Sequence, residues 1–209
     1  MNSVTCFFLA VWLGFGYHAS TNEAPDPEVL GLALSGYERA VAEGQAAPRS
    51  LLTIIDYSRP STLTRLFVVD PDDGEILHKS LVAHGKNSGA NEATRFGNEI
   101  DSLQSSLGFF ITGDTYHGRH GYSLRLHGLE PGINDNALER NIVIHGASYV
   151  SEEFAARNGR LGRSWGCPAL PTDTNRQVID LIKGGSCVFI YGEDATYRNR
   201  SVFTRRSTS

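Results

Sequence analysis

HGASYVSEEFAARNGRLGRSWGCPAL, residues 145–170, is the stretch around which this chain is organised. It follows the apolar run NIVI (141–144) and ends on Ser164-Trp165-Gly166-Cys167-Pro168. A histidine therefore ends a strand-like segment, and 22 positions later a cysteine stands in a loop framed by glycine and proline. A thiol attacks a carbonyl as its thiolate, so it needs a base or a cation beside it. Imidazole suits the task, because it takes and returns a proton near neutral pH. His145 is the expected base and Cys167 the expected nucleophile. Gly146 lets the chain turn beside the ring, where a backbone carbonyl can orient the far imidazole nitrogen. Trp165, Gly166 and Cys167 offer backbone N–H groups for an oxyanion hole, each donor being worth roughly 3–4 kcal/mol of barrier. Ser164 is expected to hydrogen-bond within the site. The competing reading is a buried structural cysteine, and a Ser-Trp-Gly-Cys-Pro loop is a poor place for one.

Outward from this stretch the periodicity is mostly that of short strands. Residues 51–57, 63–70 and 75–83 are rich in Ile, Val, Leu and Phe. Pro71-Asp72-Asp73-Gly74 between the last two reads as a hairpin turn, with proline presetting φ and glycine accepting a positive one. Residues 109–113, 122–126, 141–145 and 187–191 are further strand candidates. Helical spacing is confined to 29–43, opened by Asp26-Pro27, to 151–158, opened by a serine and two glutamates, and to 172–183, stopped by Gly184-Gly185. Residues 84–106 are polar and read as a long surface loop. The expected fold is mainly β: one sandwich or open-barrel domain with a few short helices and one N-terminal helix.

The 209 residues, 40% apolar and 20% charged, suit a single globular domain. The net charge of −4 excludes a dominant basic face and with it nucleic acid as a partner. The apolar run at 4–15 is too short for an ordinary membrane span and fits the core of an export signal, with an uncleaved anchor as the alternative. The expected organisation is a signal at 1–20, a linker and amphipathic helix at 21–49, a catalytic domain at 50–192 and a basic tail at 193–209. That tail carries Arg198, Arg200, Arg205 and Arg206 with no acid after residue 194, and reads as solvated and partly disordered. Cys6 falls in the signal. Cys167 and Cys187 could pair, although SCVFIY (186–191) reads as a buried strand in which Cys187 is a small core residue.

The His-Gly and Arg-Ser-Trp-Gly-Cys-Pro segments resemble the signature of the murein L,D-transpeptidases with a YkuD-type catalytic domain. The likeness extends over DYSRPST (56–62), LVAHGKNSG (81–89), HGYSLRLHGLEPG (120–132) and IKGGSCVFIYG (182–192), and so covers most of 50–192. The resemblance implies a mainly β domain with Cys167 as nucleophile, His145 as general base and acid, and the Gly146 carbonyl as orienter. It implies peptidoglycan peptide stems as the partner, a location in the periplasm or cell envelope, and no metal or organic cofactor. The acyl-enzyme would pass to an amine, giving transpeptidation, or to water, giving L,D-carboxypeptidase activity. A lapsed wall-binding module is the reading outside enzymes. The chain departs from the general pattern at Trp165, where the family usually has histidine, and at Pro168-Ala169. Arg163, and more weakly Arg160, could pair with carboxylates of an acidic stem. His120 and Tyr122 are candidates for lining the substrate cleft. His117, His120 and His127 match no tight metal-ligand spacing.

Overall fold

The computed structural model describes residues 24–48 and 50–204. Its frame is one eight-stranded sheet: β1 (Leu52–Asp56), β2 (Leu66–Val69), β3 (Ile76–Ser80), β4 (Gly108–Gly118), β5 (Gly121–Gly128), β6 (Val143–Gly146), β7 (Ala169–Leu170) and β8 (Cys187–Tyr191). The spatial order is β3-β2-β1-β8-β4-β5-β6-β7. Only β1–β8 and β6–β7 pair in parallel. Past β3 the chain returns to the far edge, where Ala83 bridges Ala169 of β7. The two ends of the sheet therefore meet, and the expected open barrel is a nearly closed one.

Local chemistry accounts for the elements. Helix α1 (Pro27–Ala42) starts where Asp26 accepts the Glu28 and Val29 N–H groups, with proline at the first position, where its missing donor costs nothing. It buries Val29, Ala33, Gly36, Tyr37 and Ala40. A Cβ on Gly36 would lie 2.0 Å from the tip of the Phe109 ring, so only glycine allows this approach. Phe109 in turn stacks on Phe189 of β8 at 4.4 Å. Every residue of β1, β2 and β8 is buried, as suits the wholly apolar runs of β2 and β8 and the mostly apolar β1, which also buries Thr53 and Asp56. In the β2–β3 turn Asp70 accepts the Asp72 N–H, and Gly74 takes φ +76°.

Two expectations need correction. Residues 84–106 form no named helix or strand, but they are not merely surface: His84, Ser88, Ser105 and Ser106 are buried. Their polarity serves hydrogen bonds inside the protein. The C-terminal segment is also no loose tail as far as Thr204. Helix α4 (Ala195–Arg200) is capped by Asp194 and followed by Phe203. Tyr197 and Phe203 are buried in the core, and the Val202 carbonyl accepts from Arg39 at 2.6 Å. Two aromatic side chains outweigh the arginines, which stay on the surface of this segment. The signal reading at 1–20, Cys6, Arg205 and Arg206 lie outside the described residues. Among the described residues, no helix is long and apolar enough to cross a membrane. Cys167 and Cys187 are both free thiols, and Cys187 is wholly buried in β8.

Candidate active site

The parallel pairing of β6 with β7 builds the site. His145 lies opposite Ala169, and the His145 N–H donates to the Pro168 carbonyl at 3.3 Å. Cys167, two residues before Ala169, is thereby carried alongside the histidine strand. His145 is 3% exposed. Its Nδ1 lies 3.0 Å from the Gly146 carbonyl. A carbonyl only accepts, so Nδ1 carries the proton and Nε2 keeps its lone pair as the basic nitrogen. Burial lowers the His145 pKa; the Gly146 contact partly offsets this, and His120 lowers it further.

Cys167 is half-buried, and its thiol donates to the Asn141 carbonyl at 3.5 Å. Burial raises its pKa, while the N–H groups of Val143 and of Cys167 itself and the Arg140 guanidinium pull it back. With the thiol raised and the imidazole lowered, the resting pair is neutral thiol and neutral imidazole. Arg140 was not identified from the sequence. It donates to the carbonyls of Gly97 (2.8 Å) and Gln104 (2.6 Å) and to the hydroxyls of Ser106 (2.5 Å) and Ser102 (3.2 Å). One side chain thus ties the 97–106 loop to the surroundings of Cys167 and supplies the positive field there. Replacing Arg140 with methionine will raise the thiol further and slow alkylation of Cys167 at pH 7 by roughly 3–10-fold. Arg140→Lys will recover most of that rate without restoring stability, because the charge returns and the fork does not. Alkylation rate against pH, paired with thermal melting, checks both.

The loop before Cys167 is internally braced. Ser164 Oγ donates to the Cys167 carbonyl at 2.5 Å and accepts the Gly166 N–H at 3.1 Å. The Ser164 hydroxyl thus makes both bonds within its own loop. The Gly166 N–H is spent on it and not left for an oxyanion; the N–H groups beside the sulfur are those of Val143 and Cys167. Gly166 contributes conformation instead, at φ +124° against the Gln104 carbonyl. Its own carbonyl accepts from Ser105, whose Oγ also takes the Gly85 N–H. Arg163 donates from Nη1 to the carbonyls of Lys86 and Gly89, at 3.3 and 2.9 Å, and so braces the loop. Arg160 similarly bonds the Leu161 carbonyl. Trp165 is 67% exposed, with the Lys86 ammonium 5.7 Å from its ring centre.

The β4–β5 hairpin closes the histidine side. His120, in its exposed turn, stacks on His145 with ring centres 4.6 Å apart. Tyr122 is engaged with the helix that packs behind the hairpin. Its hydroxyl donates to Asp180 at 2.9 Å, its ring lies under Arg176, and its carbonyl accepts from Asn175. These three residues belong to α3 (Asn175–Ile182), whose Asn175 also lies against Gly146. Tyr149, between β6 and α2 (Glu152–Asn158), also went unassigned from the sequence. Burial and the nearby Cys167 push its phenol up to about 12. Beneath the loop, buried Arg65 bonds the Val82 carbonyl and His84 Nδ1. Burial and that guanidinium push His84 down to about 3, so it stays neutral and structural. Among the described residues, no three His, Cys, Asp or Glu side chains gather in metal-holding geometry.

Solved structures similar to this chain include L,D-transpeptidases and a cell-shape protein. An L,D-transpeptidase from Mycobacterium smegmatis shares 17% identity over 68% of this chain and 59% of its own, with a TM-score of 0.40. The helical cell shape determining protein Pgp2 from Campylobacter jejuni shares 12% over 78% and 57%, with a TM-score of 0.46. An L,D-transpeptidase from Stackebrandtia nassauensis shares 16% over 81% and 69%, with a TM-score of 0.42. The chain thus spans under three-fifths of the length of the first two. No curated protein matches it. Residues 21–191, most of the chain, match the L,D-transpeptidase catalytic domain, and the chain belongs to that family.

Proposed function

We propose that this protein is an exported, cysteine-dependent L,D-transpeptidase acting on tetrapeptide stems of peptidoglycan in the periplasm or cell envelope. The observation that carries the reading is the His145 geometry: Nδ1 fixed on the Gly146 carbonyl, leaving Nε2 as the base on the strand beside Cys167. Attack requires the thiol to turn from the Asn141 carbonyl towards that nitrogen. His145 then takes the Sγ proton as sulfur bonds to the carbonyl carbon after the L-centre of diaminopimelate. The N–H groups of Val143 and Cys167, which face the sulfur, stabilise it as the proton leaves. Collapse breaks the C–N bond, His145 returns the proton to the departing D-alanine amine, and a thioester remains. An acceptor amine gives up a proton to His145, attacks the thioester and releases the thiol, forming a new amide. Water on the same path gives the carboxypeptidase product.

Exposed Trp165, two residues before Cys167 and with the Lys86 ammonium over its ring, is a candidate contact for the acceptor. Two measurements test the proposal. Incubation with a carbapenem will add the mass of one intact drug molecule to the protein, because β-lactam opening transfers the acyl group to sulfur without loss of atoms. Cys167→Ala will show no addition. Muropeptide digests with and without an added amine acceptor will separate transfer from hydrolysis. An adduct that persists without Cys167 would sink the assignment of the nucleophile.

A further inference from the structure

The His120–His145 contact is not needed for proton transfer, yet it places a second titratable ring face to face with the buried base. The two ring centres are 4.6 Å apart and the planes 32° off parallel. The contact is held from outside. Tyr122, two residues past His120, is fastened to α3 through Asp180, Arg176 and Asn175, and its ring also meets His117 at 5.1 Å. Asn175 lies against Gly146, whose carbonyl orients His145. One anchoring system thus fixes both the hairpin that carries His120 and the carbonyl that sets the tautomer of His145.

The groups around His145 can be named by element. The hairpin brings His120, with Arg119 beside it in the turn. The loop before β7 brings Cys167. The segment after β6 brings Tyr149, coupled to Cys167. Helix α3 brings neutral Asn175, while its Arg176 lies over the Tyr122 ring and its Asp180 is taken up by Tyr122 and Lys183. Among the described residues, His120 is the titratable side chain coupled electrostatically to His145.

We infer that His120 is a positioning residue that keeps His145 in its neutral, basic form as the surroundings turn acidic. A proton on the exposed ring, in contact with His145, opposes a second proton on the buried ring. Activity of the base therefore extends to lower pH than an isolated buried histidine would allow. The inference rests on the proposed role of His145 as base.

The test is an NMR titration of the His145 ring in the free protein, for wild type, His120→Phe, His120→Gln and His120→Lys. No turnover is needed, so its result stands apart from the fate of the proposed activity. Phe keeps the stack and removes the charge, so the His145 midpoint will rise by about half to one pH unit. Gln will raise it by a similar amount without an aromatic partner. Lys supplies a fixed charge and will lower the midpoint. The acid limb of kcat/KM on a muropeptide will move the same way in each variant, with the alkaline limb unmoved. A His145 midpoint that stays put in all three variants, or shifts in one direction for both Phe and Lys, overturns the inference.

Discussion

Cys167→Ala and His145→Gln each reduce turnover of a tetrapeptide-bearing muropeptide by at least about 10³-fold, while the thermal midpoint stays within a few degrees of wild type. The size follows from chemistry that no neighbour can replace. Among the described residues the other free thiol, Cys187, is buried in β8 with its thiol pushed up to about 12 by burial, so it cannot act in place of Cys167. His84, the buried imidazole nearest in role, is bonded to Arg65 and held neutral beneath the loop. Glutamine is preferred to alanine at His145 because the ring is buried, and a cavity there would confuse loss of catalysis with loss of fold. Because the two groups act as one unit, the double variant will be little worse than either single one. Undiminished turnover in either single variant would exclude the mechanism. The test is steady-state kinetics with melting curves on the same preparations.

Gly166→Ala is the second large effect. A Cβ at this position meets the Gln104 carbonyl at 2.8 Å, Ile142 Cδ1 at 3.2 Å and Arg140 Nη2 at 3.3 Å, on a backbone at φ +124°. Neither the carbonyl nor the ordered guanidinium can yield cheaply, since Arg140 is fixed by four hydrogen bonds. The loop must shift, and with it the sulfur and the N–H groups that face it. We expect a loss of about 10²-fold or more in kcat and a destabilisation of about 1–3 kcal/mol. Gly159→Ala is the matched control: it also has positive φ, +68°, but nothing lies within 4 Å of its added Cβ. It will cost about 1 kcal/mol and leave kcat unchanged. Equal kinetic damage from the two substitutions would show that the close approach at Gly166 is unimportant.

The contrast between these glycines shows what the sequence could and could not disclose. Strand content, the 71–74 turn, the Asp26-Pro27 helix start and the Cys167–His145–Gly146 arrangement all rest on residues near one another in the chain or on a recognisable signature. Arg140 rests on neither. Its importance comes from carbonyls and hydroxyls between residues 97 and 106, and no local pattern says that a surface-type side chain will be drawn across to them. Arg163 shows the converse: an arginine near Cys167 invites a substrate role, and its bracing of the Lys86 and Gly89 carbonyls across the bridge between Gly85 and Ser164 had no local sign. The 84–106 segment looked like solvent-exposed loop because serine and histidine are polar. It is partly interior because those groups find partners, as when Ser88 Oγ takes the Ser105 N–H. The C-terminal residues misled through their arginines, while Tyr197 and Phe203 decided their placement.

The position of β8 has a kinetic consequence. This strand is the last of the eight in the chain, yet it sits in mid-sheet, parallel to β1 and antiparallel to β4. β1 and β4 share no pairing until residues 187–191 arrive between them. A nascent chain lacking those residues holds two separated fragments of sheet with open edges, and the β1–β8 contacts span more than 130 residues of sequence. Such long-range pairing makes folding slow and all-or-none, and it delays closure of the sheet until residues 187–191 have been made.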